Sequence, residues 1–177
     1  MLSRYSKTGR VLRLKKGFYT TKAYVDDIQK RGVFSTYLEF LASAIYEPSY
    51  LSLEYVLQKY NAITEAAVNF TLVSRNKTAK FSNKFGNFIY HKITKNLFTG
   101  FHLRERDGFS IYEATKAKAL FDYIYFRKTL LPNKNAVNEL RINKDVFDKK
   151  DRAEFKSYID LCGSTLLKKI SANLFGG

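Results

Sequence analysis

AVNFTLVSRNKTAKFSNKFGNFIYHKITKNLFTGFHLRERDGFSIY, residues 67–112, is the stretch that decides the fold. Here the apolar residues stop recurring at helical spacing and begin to alternate, the period of a strand with one face on a core. Five strands are expected, over 67–74, 77–85, 87–94, 98–105 and 109–112. Asn76-Lys77, Gly86-Asn87, Lys95-Asn96 and Asp107-Gly108 separate them, the last a strong hairpin signal. Strands joined by such short turns form an antiparallel sheet.

On both sides of this stretch the period is helical. Upstream, Ser35 is placed as the cap of a helix over 35–45, with Tyr37, Leu38, Leu41 and Ile45 on one face. Pro48-Ser49-Tyr50-Leu51 reads as a loop, and Ser52 as the cap of a second helix running to about Tyr60. Downstream, ATKAKALFDYIYFRK from Ala114 puts Ala117, Leu120, Phe121, Ile124 and Tyr125 on one face of a helix over 114–127 that should pack on the sheet. A short element follows around 135–142. Asp148 then caps a helix over 149–161, and Gly163 separates it from a last helix over 164–174. Segregated strands and helices give an α+β fold: a mainly antiparallel sheet packed by helices.

The N-terminal end is different. Leu2 to Ser6 reads as the last turn of a helix, Gly9 as a turn, Val11 to Leu14 as a strand, and Phe18 to Thr20 as a second strand after Lys15-Lys16-Gly17. Residues 1–22 hold seven Lys/Arg and no acid, so this is a short basic β-hairpin that cannot fold alone.

The chain of 177 residues has a net charge of +15, concentrated in residues 1–30 and 74–106 on either side of a mildly acidic stretch. Separate basic blocks suit a polyanion such as DNA or RNA. Cys162 is the single cysteine, so no disulfide forms within the chain and no thiolate cluster holds a metal. It reads as a buried structural residue in a reducing compartment. No apolar run approaches the ~20 residues of a membrane span. The N-terminus does not resemble a signal peptide. A cytoplasmic protein that does not engage membranes is expected. Thirteen Tyr residues will need hydroxyl partners, as on a half-buried sheet face.

Signs of catalysis are weak. His91 and His102 fall in neighbouring expected strands and could face one another, but no carboxylate or thiol completes a metal site. A metal-dependent nuclease would need clustered acids, for which Asp107, Glu113 and Asp122 are candidates. Their spacing matches no such pattern. Asp107 is explained by its turn and Glu113 by the start of a helix. Asp122 is harder to explain, because it interrupts an apolar face and would need a Lys, Arg or backbone partner once buried. No catalytic residue, metal or cofactor is expected.

Four ordered stretches resemble the AbiEi-type antitoxin family of type IV toxin–antitoxin systems. GRVLRLKKGFY (Gly9 to Tyr19) is similar to the wing of that family's winged helix-turn-helix. PSYLSLEYVLQKYNAI (Pro48 to Ile63) places Tyr50, Ser52 and Leu57 as the family does. The third stretch runs from Thr71 through Phe81, Gly86, Tyr90 and Ile93 to LFTGF, Leu97 to Phe101. ATKAKALFDYIY (Ala114 to Tyr125) matches the Lys-Ala-Leu-x-Asp core at Lys118, Ala119, Leu120 and Asp122. The resemblance implies a remnant wing over 1–24 and an antitoxin domain over 25–177. It also implies a possible operon regulator that opposes a nucleotidyltransferase toxin encoded next door, without a stable complex between them. Tyr50, Ser52, Lys118 and Asp122 are the motif residues it singles out. Ala117 stands where the family has Glu, and the recognition helix ahead of the wing is missing. Arg4, Lys7, Arg10, Arg13, Lys15 and Lys16 are therefore expected to contact DNA phosphates weakly and without reading sequence. The alternatives are a stand-alone nucleic-acid-binding protein with no toxin partner and an interaction domain whose basic surface meets a protein.

Overall fold

The computed structural model describes residues 10–64 and 68–176. Strands β1 (Val11–Lys15) and β2 (Phe18–Thr21) form the expected hairpin, followed by α1 (Lys22–Lys30) and α2 (Phe34–Ile45). Next come β3 (Ser49–Leu51), α3 (Leu53–Lys59), β4 (Phe70–Ser74), β5 (Ala79–Asn83) and β6 (Gly86–Lys92). Strands β7 (Phe101–Arg106) and β8 (Phe109–Ala114) complete the sheet. Four helices end the chain: α4 (Lys116–Arg127), α5 (Lys134–Glu139), α6 (Lys149–Cys162) and α7 (Thr165–Phe175). The α+β reading holds. The turn assigned to Leu2–Ser6 lies outside the described residues, and the boundary drawn at residue 24 falls inside α1.

The sheet has six strands in the order β5-β6-β4-β3-β8-β7. Pairs β5–β6 and β7–β8 are antiparallel, as their short turns dictate, and β3–β4 is antiparallel across α3, while β4–β6 and β3–β8 run parallel. The segment read as a loop at 48–51 is corrected: Ser49–Leu51 is a buried strand at the centre of the sheet. Three residues are too few to show an alternating pattern. Their strand geometry comes from partners on both sides, with Tyr50 opposite Val73 and Leu51 opposite both Leu72 and Glu113.

Alternation then assigns the faces. Leu51, Leu72 and Tyr90 stand in register on one face, where the Tyr90 hydroxyl donates to the Ala42 carbonyl of α2 at 2.6 Å. Tyr50, Val73 and His91 share the other face, under α4. There the Tyr50 hydroxyl meets Asp122 at 3.0 Å and the His91 ring meets Phe126 at 5.0 Å. Helix α4 is also covered by α3 and α6, so every residue from Ala117 to Ile124 is buried. Amphipathic periodicity predicts one buried face; a helix enclosed on all sides has none to spare for charge.

Caps account for most helix starts, each worth about 1 kcal/mol. Thr115 Oγ1 accepts from the Lys118 amide at 3.0 Å, and Asp148 and Asp151 form a reciprocal capping box on α6. Gly163 ends α6 in the left-handed conformation expected of it. Two assigned caps are corrected. Helix α2 begins at Phe34 with no side-chain cap, so Ser35 lies inside it. Ser52 occupies the cap position of α3 but its hydroxyl points elsewhere, and Thr71 Oγ1 instead accepts from the Tyr55 amide at 3.1 Å.

Gly100 opens the turn into β7 with φ +77°, and its carbonyl accepts from the Thr115 amide at 2.9 Å. A Cβ at this position would lie 2.2 Å from the Tyr158 hydroxyl oxygen and 3.0 Å from Lys118 Cγ. Gly100→Ala therefore adds backbone strain to a clash between β7, α4 and α6. A loss of about 1–3 kcal/mol is expected from urea denaturation. An unchanged midpoint would show that α6 yields there without cost.

Candidate nucleic-acid interface

The hairpin turns at Gly17, with φ +79°, and pairs Val11 with Thr21, Leu12 with Thr20 and Arg13 with Tyr19. A register shift between Arg13 and Lys15 interrupts the alternation that would have put both on one side. Leu14 is driven into the core at 2% exposure, anchoring the hairpin on the rest of the protein. β1 thereby comes to lie beside β5, the outer strand of the large sheet, where Asn83 Nδ2 donates to the Leu14 carbonyl at 3.1 Å.

Between these two strands runs an open groove of about 660 Å³, walled by Val11 to Lys16 on one side and Lys80 to Lys84 on the other. Arg13, Lys15, Lys16, Lys80 and Lys84 line it with no carboxylate among them. None of the five makes an ion pair among the described residues. The Lys15 ammonium stands 5.5–6.0 Å from the ring centres of Phe18, Tyr46 and Phe81, and the Lys84 ammonium 4.9 Å from Phe85. Of the six cations assigned to nucleic acid, Arg13, Lys15 and Lys16 line the groove. Arg10 is exposed at the start of the hairpin, while Arg4 and Lys7 lie outside the described residues. Lys80 and Lys84 went unnamed by sequence reasoning. Their basic block was visible, but only the packing of β1 against β5 brings it to the hairpin.

The four motif residues meet elsewhere, in the core. Asp122 and Lys118 are both 0% exposed, one helical turn apart on α4. Asp122 Oδ1 accepts from Lys118 Nζ at 2.6 Å, and Oδ2 from Ser52 Oγ at 2.7 Å and Tyr50 Oη at 3.0 Å. Burial pushes the Asp122 carboxyl up and the Lys118 ammonium down, while their mutual attraction opposes both shifts. Burial, with the Asp122 charge beside it, also holds the Tyr50 phenol well above its ordinary range. The cluster joins β3 and the start of α3 to α4, and no ligand reaches it from solvent. It sets the fold.

The remaining candidates are dispersed. Asp107 sits at the β7–β8 turn and accepts from Thr36 at 2.6 Å. Glu113 is corrected from a helix-start acid to a buried strand residue, ion-paired with Lys59 and Arg104 on the face opposite Asp122. The three acids proposed for a nuclease therefore do not converge. Nor do the histidines: β4, β3 and β8 separate His91 on β6 from His102 on β7. That amounts to four interstrand spacings, or ~19 Å. Burial lowers the His91 pKa. Cys162 is partly rather than fully buried, at the end of α6. Among the described residues no three His, Cys, Asp or Glu stand together to hold a metal ion, and no helix is long and apolar enough to cross a membrane. No family model, curated protein or solved structure matches this chain.

Lys118→Met leaves the Asp122 charge buried with only two hydroxyl donors, and should cost about 3–5 kcal/mol in urea denaturation. Lys118→Met/Asp122→Leu recovers part of that loss, because no charge is left behind. A single variant within ~1 kcal/mol of the parent would show that the pair is not what holds α4 to β3.

Proposed function

We propose that this protein acts by binding and not by catalysis, holding the phosphate backbone of nucleic acid in the groove between β1 and β5. The observation that carries this reading is a two-walled groove with five cations, no carboxylate and no internal ion pair. Cations satisfied within a protein have little left to offer a ligand, whereas unpaired ones release phosphate counterions on binding. Contacts of this kind hold a nucleic acid without reading its sequence.

The resemblance to AbiEi-type antitoxins supports a biological setting for that binding. The chain would be the antitoxin of a type IV system and a possible regulator of its own operon, opposing a nucleotidyltransferase toxin without a stable complex. In that setting the hairpin is the wing and Tyr50, Ser52, Lys118 and Asp122 fix the antitoxin fold. A stand-alone nucleic-acid-binding protein uses the same groove with no toxin partner.

Two measurements test these layers separately. Fluorescence anisotropy with a labelled operator fragment and a scrambled one should give equal, micromolar or weaker affinities. Their log–log salt slope should be about −2 to −4. Arg13→Glu/Lys80→Glu should lower affinity at least ~10-fold at low salt, about 1 kcal/mol or more being expected of two lost phosphate contacts with charge reversal. Salt-insensitive or absent binding would end the polyanion reading.

Co-expression with a nucleotidyltransferase encoded beside the gene should restore growth, with no complex surviving gel filtration. Failure to restore growth would leave the stand-alone reading in place of the antitoxin.

A further inference from the structure

The groove is open to solvent along its length, so a polymer chain can lie in it against side chains of both strands. Its walls, β1 and β5, belong to separate sheets and share no strand pairing, yet one asparagine side chain bridges them at Asn83–Leu14. The two strands pack within 8 Å of each other, Cα to Cα, so a ligand lies along the open face above them and not between their backbones.

The distribution of charge and rings favours a single strand over a duplex. Arg13, Lys15 and Lys16 stand on one wall and Lys80 and Lys84 on the other, so a strand lying between them meets cations on both sides. From Lys80 to Lys84 the wall runs ~13 Å. That length gives room for a short run of phosphates on one strand. The half-buried rings of Phe18, Tyr46 and Phe81 lie beneath Lys15, and Phe85 lies beneath Lys84. A phosphate that draws an ammonium away frees a ring face for a base. Cations interleaved with aromatic platforms are how proteins hold single strands without reading sequence. Paired bases in a duplex have no free face to offer.

We propose that the groove between β1 and β5 binds a single nucleic-acid strand in preference to a duplex, with phosphates on the five cations and a base on Phe81. This rests on the polyanion reading above and adds the class of nucleic acid. DNA and RNA strands share the chemistry, and the test separates them.

The test is fluorescence anisotropy of the full chain with about 12-nucleotide oligo-dT, oligo-rU and a mixed-sequence duplex of similar length, at about 50 and 200 mM salt. At least one single strand should bind about tenfold or more tightly than the duplex. The sugar preferred between dT and rU names the natural strand. Lys80→Glu/Lys84→Glu, on exposed or edge positions, should weaken single-strand binding about tenfold or more and flatten the salt slope. Phe81→Ala should weaken it about fivefold with the salt slope unchanged, since stacking releases no counterions. A melting curve of each variant separates lost binding from lost fold.

A duplex bound as tightly as either strand would overturn this inference and leave the polyanion reading intact. No binding of any polynucleotide at low salt would overturn both. Capture of an extended Glu-rich peptide, with oligo-dT and oligo-rU unbound, would assign the groove to a protein partner and also overturn both.

Discussion

Lys118 and Asp122 meet where nothing but protein surrounds them, and the arrangement of the domain turns on keeping both charges satisfied there. Desolvating two ions costs several kcal/mol each, which their attraction offsets only when the remaining lone pairs find donors. Ser52 and Tyr50 supply those donors, and in doing so tie the central strand and the start of α3 to α4. The Lys118 ammonium also lies 4.6 Å from the ring centre of Phe121 and 5.3 Å from that of Tyr158, which brings α6 into the same contact. Gly100, with no side chain, leaves room for the Tyr158 hydroxyl at this junction. Four elements distant in sequence are thus held in one geometry by a pair that tolerates no misplacement.

The protein treats its positive charge in two ways. Inward and half-buried cations are matched: Lys59 with Glu39 and Glu113, Arg106 with Glu39, Arg127 with Glu54, Lys116 with Asp151. These pairs stitch helices to the sheet and to one another and cancel locally. Among the described residues the cations of the groove have no such partner, and Lys15 and Lys84 instead lie over aromatic rings. A chain with net charge +15 that neutralises its interior in this way leaves its surplus on the surface. Where that surplus gathers between two strands, the local potential attracts polyanions and quickens their arrival.

Much of the scaffold was legible because it rests on local rules. Alternation from residue 67 onward gave β4 to β8, and the cap assigned to Asp148 marks a helix start that holds in three dimensions. Among the described residues at least seven tyrosine hydroxyls find partners, as their number required. Helix α1 was not legible: it buries only Val25 and Ile28, too few to set a period. Strand β3 was not legible either, since three residues have no pattern of their own and are extended because β4 and β8 bind them on both sides.

By itself, the sequence determined what propensity and charge can carry over short range: the hairpin, the alternating strands, the Asp148 cap and the two basic blocks. It also marked Asp122 as an acid that would need a partner. Tertiary structure alone decided the rest. The sheet's strand order placed His91 and His102 far apart, and the choice of face sent Glu113 away from Asp122. Burial of Leu14 laid β1 along β5, so that Lys80 and Lys84 joined cations some seventy positions earlier. The reason is common to all of these: a residue's neighbours along the chain fix its conformation, but strand pairing and core burial fix which distant residue it faces.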